Sequence, residues 1–157
     1  MHSLEAGGRR FTINRAAESD LAGLVALLAD DVLGADRESD GLDRYVAAFR
    51  EIDSDPHQYL AAVRDVDGGL VGTMQLTLIP GLARSGATRL QIEAVRLTSK
   101  ARGAGLGAAL FEWAHAYGKA HGATLSQLTS DKARTDAHRF YDRLSYQASH
   151  EGFKRAL

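Results

Sequence analysis

The sequence predicts an α/β chain in three layers, a mixed sheet with helices on both faces. Three observations carry this. Two early segments place apolar residues at helical spacing: Leu21, Leu24, Val25, Leu28 and Val32, then Leu42, Tyr45, Val46, Phe49 and Ile52. A hairpin signature follows, with "QYLAAVRD" (58–65) and "LVGTMQLTLI" (70–79) flanking the turn residues "DGG". An apolar run, "IEAVRL" (92–97), then passes into a helical pattern through "ARGAGLGA" (101–108). Elements of both kinds in alternation bury their apolar faces as helices packed on a sheet.

Taken in order, residues 1–10, "MHSLEAGGRR", read as a flexible leader, and "FTIN" (11–14) as a short first strand. The first helix takes Ser19 or Asp20 as its cap and stops at Gly34, and "DSDP" (53–56) ends the second. The polar stretch between them, "GADRESDG" (34–41), reads as a loop over one mouth of the domain. In the hairpin, Met74, Leu76 and Leu78 alternate with Thr73, Gln75 and Thr77, which predicts one buried and one polar face. "PGLARSG" (80–86) is a turn-rich connection to a strand near 89–98. Beyond the glycines, Leu106, Leu110, Trp113 and Tyr117 form one helical stripe, which puts Trp113 in the core. "TLSQLT" (124–129) reads as a buried strand, and Thr135 as the cap of a last helix turning Ala137, Phe140, Tyr141 and Leu144 inward. "YQAS" and "FKRA" read as a final pair of short strands.

A length of 157 residues suits a single domain over 11–157. With 45% apolar and 25% charged residues the composition is that of a globular chain. No run approaches the roughly 20 apolar residues of a membrane helix, and the first ten lack a secretory core, so a cytoplasmic location is expected. The absence of cysteine excludes disulfides, thiolate metal sites and a cysteine nucleophile. No two histidines share a helical turn, so no metal is expected. A formal net charge of −1 with scattered lysines and arginines argues against a nucleic-acid partner.

Three glycines in five positions at a strand-to-helix junction need a reason. The first N–H groups of a helix lack intrahelical partners, and the macrodipole makes that end positive. A glycine-rich approach lets an anion reach those donors, with Arg102 at the rim. The alternative is that the glycines only permit close helix–strand packing. A P-loop is excluded, because Gly107 is followed by Ala108 rather than Lys. "GAGLGA" does fit the dinucleotide pattern, with Asp131 as a ribose-binding acid, which leaves an NAD(P)-linked oxidoreductase as an alternative. About fifty residues after the loop are few for the rest of a doubly wound sheet.

With "RGAGLG" as R-x-x-G-x-G, "IEAVRL" before it and "AHRFYDRLSY" near the end, the chain resembles the GNAT superfamily of acyl-CoA N-acyltransferases over nearly its whole length. That resemblance implies a mixed, mostly antiparallel sheet and acetyl-CoA as acyl donor, with a small or peptidyl amine as acceptor. It implies that Val95 and Leu97 flank the pantetheine arm. Arg102, Gly103, Ala104, Gly105, Leu106, Gly107 and Ala108 would hold the pyrophosphate. Arg134 stands where the family has an asparagine that touches the cofactor, and Ser145–Tyr146 replaces a glycine–aromatic pair. A non-catalytic acyl-CoA-binding regulator is a second reading. A homodimer could form by pairing strand or helix edges.

Acyl transfer needs a neutral amine, and an alkylamine of pKa about 10.4 is free base in only about one molecule per few thousand at pH 7. Glu93, in an otherwise apolar strand, is the candidate general base, with partial burial expected to assist it. Its alternative is a structural carboxylate paired with Arg89 or Arg96, and Asp131, Asp136 and His138 compete for the same task. Backbone N–H groups near Val95 would stabilise the oxyanion. By the resemblance, Tyr141 gives a proton to the departing sulfur; otherwise it is part of a core stripe. Asp36 or Glu38 could attract a cationic amine.

Overall fold

The computed structural model describes residues 1–30 and 41–157. Val32, Gly34, the body of the 34–41 loop, Asp36 and Glu38 lie outside the described residues. The chain divides into two compact units, Met1–Gln127 and Leu128–Leu157.

The first unit begins with a hairpin where a leader was expected. Strand β1 (His2–Ala6) pairs antiparallel with β2 (Arg9–Arg15), with Leu4 opposite Phe11 and His2 opposite Ile13. The turn is Gly7–Gly8, with φ of 55° and 71°. Successive left-handed residues match the twist of paired strands, and this turn chemistry is what anchors residues 1–10. Phe11 and Ile13 are buried, and each such side chain contributes roughly 1.5–3 kcal/mol.

Helices α1 (Leu21–Ala29) and α2 (Leu42–Ser54) follow. Asp20 sets the start of α1: its carboxylate accepts the Ala17 N–H at 3.0 Å and pairs with Arg64. The buried residues of α1 are Leu21, Leu24 and Leu27, so Leu27 rather than Leu28 faces inward. The hairpin forms as read, β3 (Gln58–Arg64) against β4 (Leu70–Pro80). Asp65 Oδ1 closes its turn by accepting the N–H groups of Asp67 and Gly69 at 3.1 and 2.8 Å. Met74, Leu76 and Leu78 are buried, and so is Thr73, whose hydroxyl donates to the Ala61 carbonyl at 2.9 Å. The connection to β5 (Thr88–Leu97) passes through left-handed Arg84, Ser85 and Gly86.

After β5 come the glycine loop, α3 (Leu106–Ala120) and β6 (Ala123–Leu128). Sheet order follows chain order, β1 to β6, and the first four pairings are antiparallel. This is not the strand order of a doubly wound dinucleotide-binding sheet. Ala62 packs with Leu21, Leu24 and Phe49 of α1 and α2. Tyr59, on the opposite face of β3, meets Trp113 and Tyr117 of α3 at ring-centroid distances of 5.4 and 5.2 Å. Helices therefore cover both faces of the sheet. Trp113 and Tyr117 are half-buried rather than core, and they stack at the margin with Tyr59 under the Arg15 guanidinium. Burial raises the phenol pKa of Tyr59 and Tyr117 against the lowering pull of Arg15. The strand β6 is half-exposed rather than buried, because it is the last strand of the sheet.

The second unit carries α4 (Thr135–Arg143). Thr135 is its first residue rather than its cap, a position taken by Arg134. Ala137, Phe140, Tyr141 and Leu144 are half-buried along one stripe, as the spacing predicts, although none is fully buried. The expected strands at "YQAS" and "FKRA" are not formed, and Phe153 stands exposed. The helix ends in a Schellman motif: Tyr146 N–H donates to the Tyr141 carbonyl at 3.0 Å and Ser145 N–H to Asp142 at 2.9 Å. Ser145 takes the left-handed position with φ of 64°. Glycine has no Cβ penalty there, so Ser145→Gly should stabilise the fold by about 0.5–1 kcal/mol, read as a higher urea midpoint. A lower midpoint would show that the serine makes a compensating contact.

Candidate active site

The junction between β5 and α3 brings together most of the residues singled out from the sequence. Across β4 and β5, Gln75 pairs with Glu93 and Thr73 with Arg96. One residue on β4, Met74, thus faces two on β5, Ala94 and Val95. This is a β-bulge, and Ala94 carries it with φ of 52°. A left-handed alanine costs about 1–2 kcal/mol, and strain of this kind concentrates at functional sites. The bulge breaks the ladder beside Val95, near which the oxyanion donors are expected. The sequence offered no signal for it, since alanine has no preference for positive φ.

Glu93 is exposed, so the partial burial expected from its apolar strand is not found. Its structural alternative also loses ground. Arg89 donates to Gln127 at 3.4 Å and Arg96 to the Val95 carbonyl at 2.9 Å, and among the described residues none forms an ion pair with Glu93. Around it, the polar face of the sheet is a ladder of amides. Gln75 Nε2 and the Thr77 hydroxyl both donate to Gln58 Oε1, at 3.1 and 2.8 Å, and Gln127 Nε2 donates to Gln91 Oε1 at 2.7 Å.

Past Leu97 the chain makes a short 3₁₀ turn, Ser99–Ala101, with Ala101 fully buried. Arg102 Nε donates to the Leu97 carbonyl at 3.0 Å, which ties the rim arginine to the end of β5 and uses one of its five donors. Gly103 and Gly105 are left-handed, with φ of 80° and 78°, and a Cβ on either would meet no atom within 4 Å. The helix takes Gly105 as its N-cap without a side-chain cap, and its first backbone bond runs from Ala109 N–H to the Gly105 carbonyl at 3.1 Å. The N–H groups of Leu106, Gly107 and Ala108 thus precede the helical ladder, next to the open Cβ positions of Gly103 and Gly105. Leu106 contributes its backbone only, since its side chain is buried in the core. Open space and uncapped donors fit a phosphate group. Arg134 and Tyr141 belong to the second unit, as do Asp131, Asp136 and His138.

A bulged strand feeding a glycine-rich helix start, on a sheet of this order, is the architecture of an acyltransferase. Residues 16–146 match the acetyltransferase (GNAT) family, and the chain belongs to it. Its structural relatives share the fold. A Bacillus halodurans C-125 protein described as a transcriptional regulator is 44% identical, with a TM-score of 0.88 over 94% of this chain and 99% of that one. Glucosamine-6-phosphate N-acetyltransferase from Arabidopsis thaliana, 21% identical, shares the fold with a TM-score of 0.77 over 93% and 97%. In sequence, 56 residues are 43% identical to an aminoalkylphosphonate N-acetyltransferase of Salmonella typhimurium, which is 36% of this chain and 36% of that protein.

Proposed function

We propose that this protein transfers the acetyl group of acetyl-CoA to a primary amine by direct attack in a ternary complex. The observation that carries the reading is the uncapped, open start of α3 immediately after the bulged strand. The backbone N–H groups of 103–108 and Arg102 would hold the pyrophosphate, and Val95 and Leu97 would flank the pantetheine arm, with Arg134 as a further contact. The amine nitrogen attacks the thioester carbonyl carbon and its proton passes to Glu93, directly or through water. Backbone N–H beside the bulge stabilises the oxyanion. Collapse breaks the C–S bond, and the sulfur takes a proton from Tyr141.

The amide ladder next to Glu93 suits a small, polar acceptor that hydrogen-bonds through several groups. An amine panel including aminoalkylphosphonates, amino-sugar phosphates, polyamines and peptides, followed by thiol release from acetyl-CoA, tests the reading. Turnover with one amine class is expected; no binding of CoA would overturn the proposal. We further propose a single domain that works in the cytoplasm, as a monomer or homodimer, with no metal and no nucleic acid. A regulator that binds acyl-CoA without turnover is the second reading, favoured by the description of the Bacillus halodurans relative. Tight CoA binding with no thiol release across the panel would select it.

The Tyr141 ring packs edge-on against Phe140 and Tyr146 at 5.6 and 6.1 Å, contacts a phenylalanine keeps. Tyr141→Phe should therefore lower kcat by up to about 10²-fold with little change in KM. An unchanged kcat would return Tyr141 to packing alone.

A further inference from the structure

The N-terminal hairpin reaches the glycine loop at its turn. A Cβ built on Gly7 would stand 2.8 Å from the Ala104 Cβ and 3.0 Å from the Ala104 carbonyl oxygen. Two residues on, Arg9 Nη1 donates to the Lys100 carbonyl at 3.1 Å, while its guanidinium lies 5.1 Å from the centroid of the buried Phe11 ring. One contact falls before the loop's first glycine and the other between Gly103 and Gly105. The loop itself has open space on the side where its glycines would carry side chains. Backbone contact from the hairpin is thus a support on a segment that must present its N–H groups in one arrangement.

We propose that the β1–β2 turn is a positioning element for the anion-holding loop, with Gly7 setting the place of Ala104 and Arg9 tethering Lys100. This rests on the reading that residues 103–108 hold the pyrophosphate of CoA. The physical basis is that donors fixed before the ligand arrives cost no ordering on binding. Gly7 is a positioning residue: the glycine is required by the closeness of Ala104 as well as by its φ of 55°.

Gly8 supplies the control. It is also left-handed, at 71°, but a Cβ there meets nothing within 4 Å. Gly7→Ala and Gly8→Ala therefore strain the same turn, and only the first pushes on the loop. Calorimetric titration with CoA should give a Kd raised about tenfold in Gly7→Ala and within about twofold of the parent in Gly8→Ala. The KM for acetyl-CoA should rise in step with Kd while kcat moves little. Adding Ala104→Gly to Gly7→Ala, compared with Ala104→Gly alone, should shrink the effect, because one of the two colliding atoms is gone. Arg9→Ala, an exposed change that serves should Gly7→Ala not fold, should raise Kd about threefold. Equal Kd values for the parent, Gly7→Ala and Arg9→Ala would overturn the proposal and leave the CoA reading intact. Amide hydrogen exchange separates the other failure. Faster exchange over 102–108 in Gly7→Ala but not Gly8→Ala, in a protein that binds no CoA, would keep the buttress and sink the choice of ligand. Unchanged exchange in such a protein would sink both.

Discussion

Gly105→Val should raise the Kd for CoA by about 10²-fold or more while leaving the fold in place. Gly105 is the N-cap of α3 at φ 78°, a region that a β-branched residue enters only as an outlier. Relaxing that strain turns the first N–H groups of the helix away from a common focus. The valine that does stay in place projects into the open space that a phosphate would need. Each charge-assisted hydrogen bond lost is worth about 1.5–3 kcal/mol, so losing two gives about 3–6 kcal/mol and at least the stated factor. Gly68 provides the matched comparison. It is left-handed at 81° in the β3–β4 turn with nothing within 4 Å. Gly68→Val should cost similar stability and leave CoA binding unchanged. Equal Kd values for Gly105→Val and the parent would move the anion site away from this loop.

How far the sequence could be read depended on whether a residue's type reported its backbone. The turn at 67–69 was legible because Asp and Gly have a chemical preference for it; that Asp65, read as the end of the strand, closes it by accepting two N–H groups was not. The α2 stripe was legible because its period is helical, and Phe49 is buried as that period requires. The hairpin at the N-terminus was harder. Its outer strand is polar and largely exposed, so composition reads it as a leader; only the Gly7–Gly8 pair before Phe11 and Ile13 betrayed a turn. At the other end, "YQAS" and "FKRA" alternate as strands do yet form none, since alternation alone supplies no partner edge.

The site divides the same way. Glycines at 103 and 105 announced a left-handed approach to a helix start, and both have positive φ. The bulge at Ala94 was silent, because it follows from the mismatch between the Thr73–Arg96 and Gln75–Glu93 pairings, a property of two strands together. Glu93 was chosen for the wrong environment and stands in a usable one. It is exposed and carries no ion pair among the described residues, while its rivals are tied locally. Asp136 pairs with Arg139, Asp131 Oδ1 accepts the Ala133 N–H at 2.9 Å, and a His138 ring nitrogen lies 2.8 Å from the Asp131 carbonyl oxygen.

That comparison makes Glu93→Gln the decisive test of the chemistry. Glutamine keeps the shape and one acceptor oxygen of glutamate but cannot take a proton at these pH values. At pH 7 an amine of pKa about 10.4 is almost wholly protonated, so removing the base should lower kcat/KM by about 10²–10³-fold. Near pH 9.5 roughly one amine in ten is already neutral, the base has less to do, and the deficit should narrow to less than about tenfold. The exposed position of Glu93 suits proton transfer through water, so the KM for acetyl-CoA should not change. A deficit of the same size at both pH values would mean that the carboxylate binds or orients the acceptor. No deficit at either would remove Glu93 from the reaction and return the choice of base to the second unit, with Asp131 and His138 first.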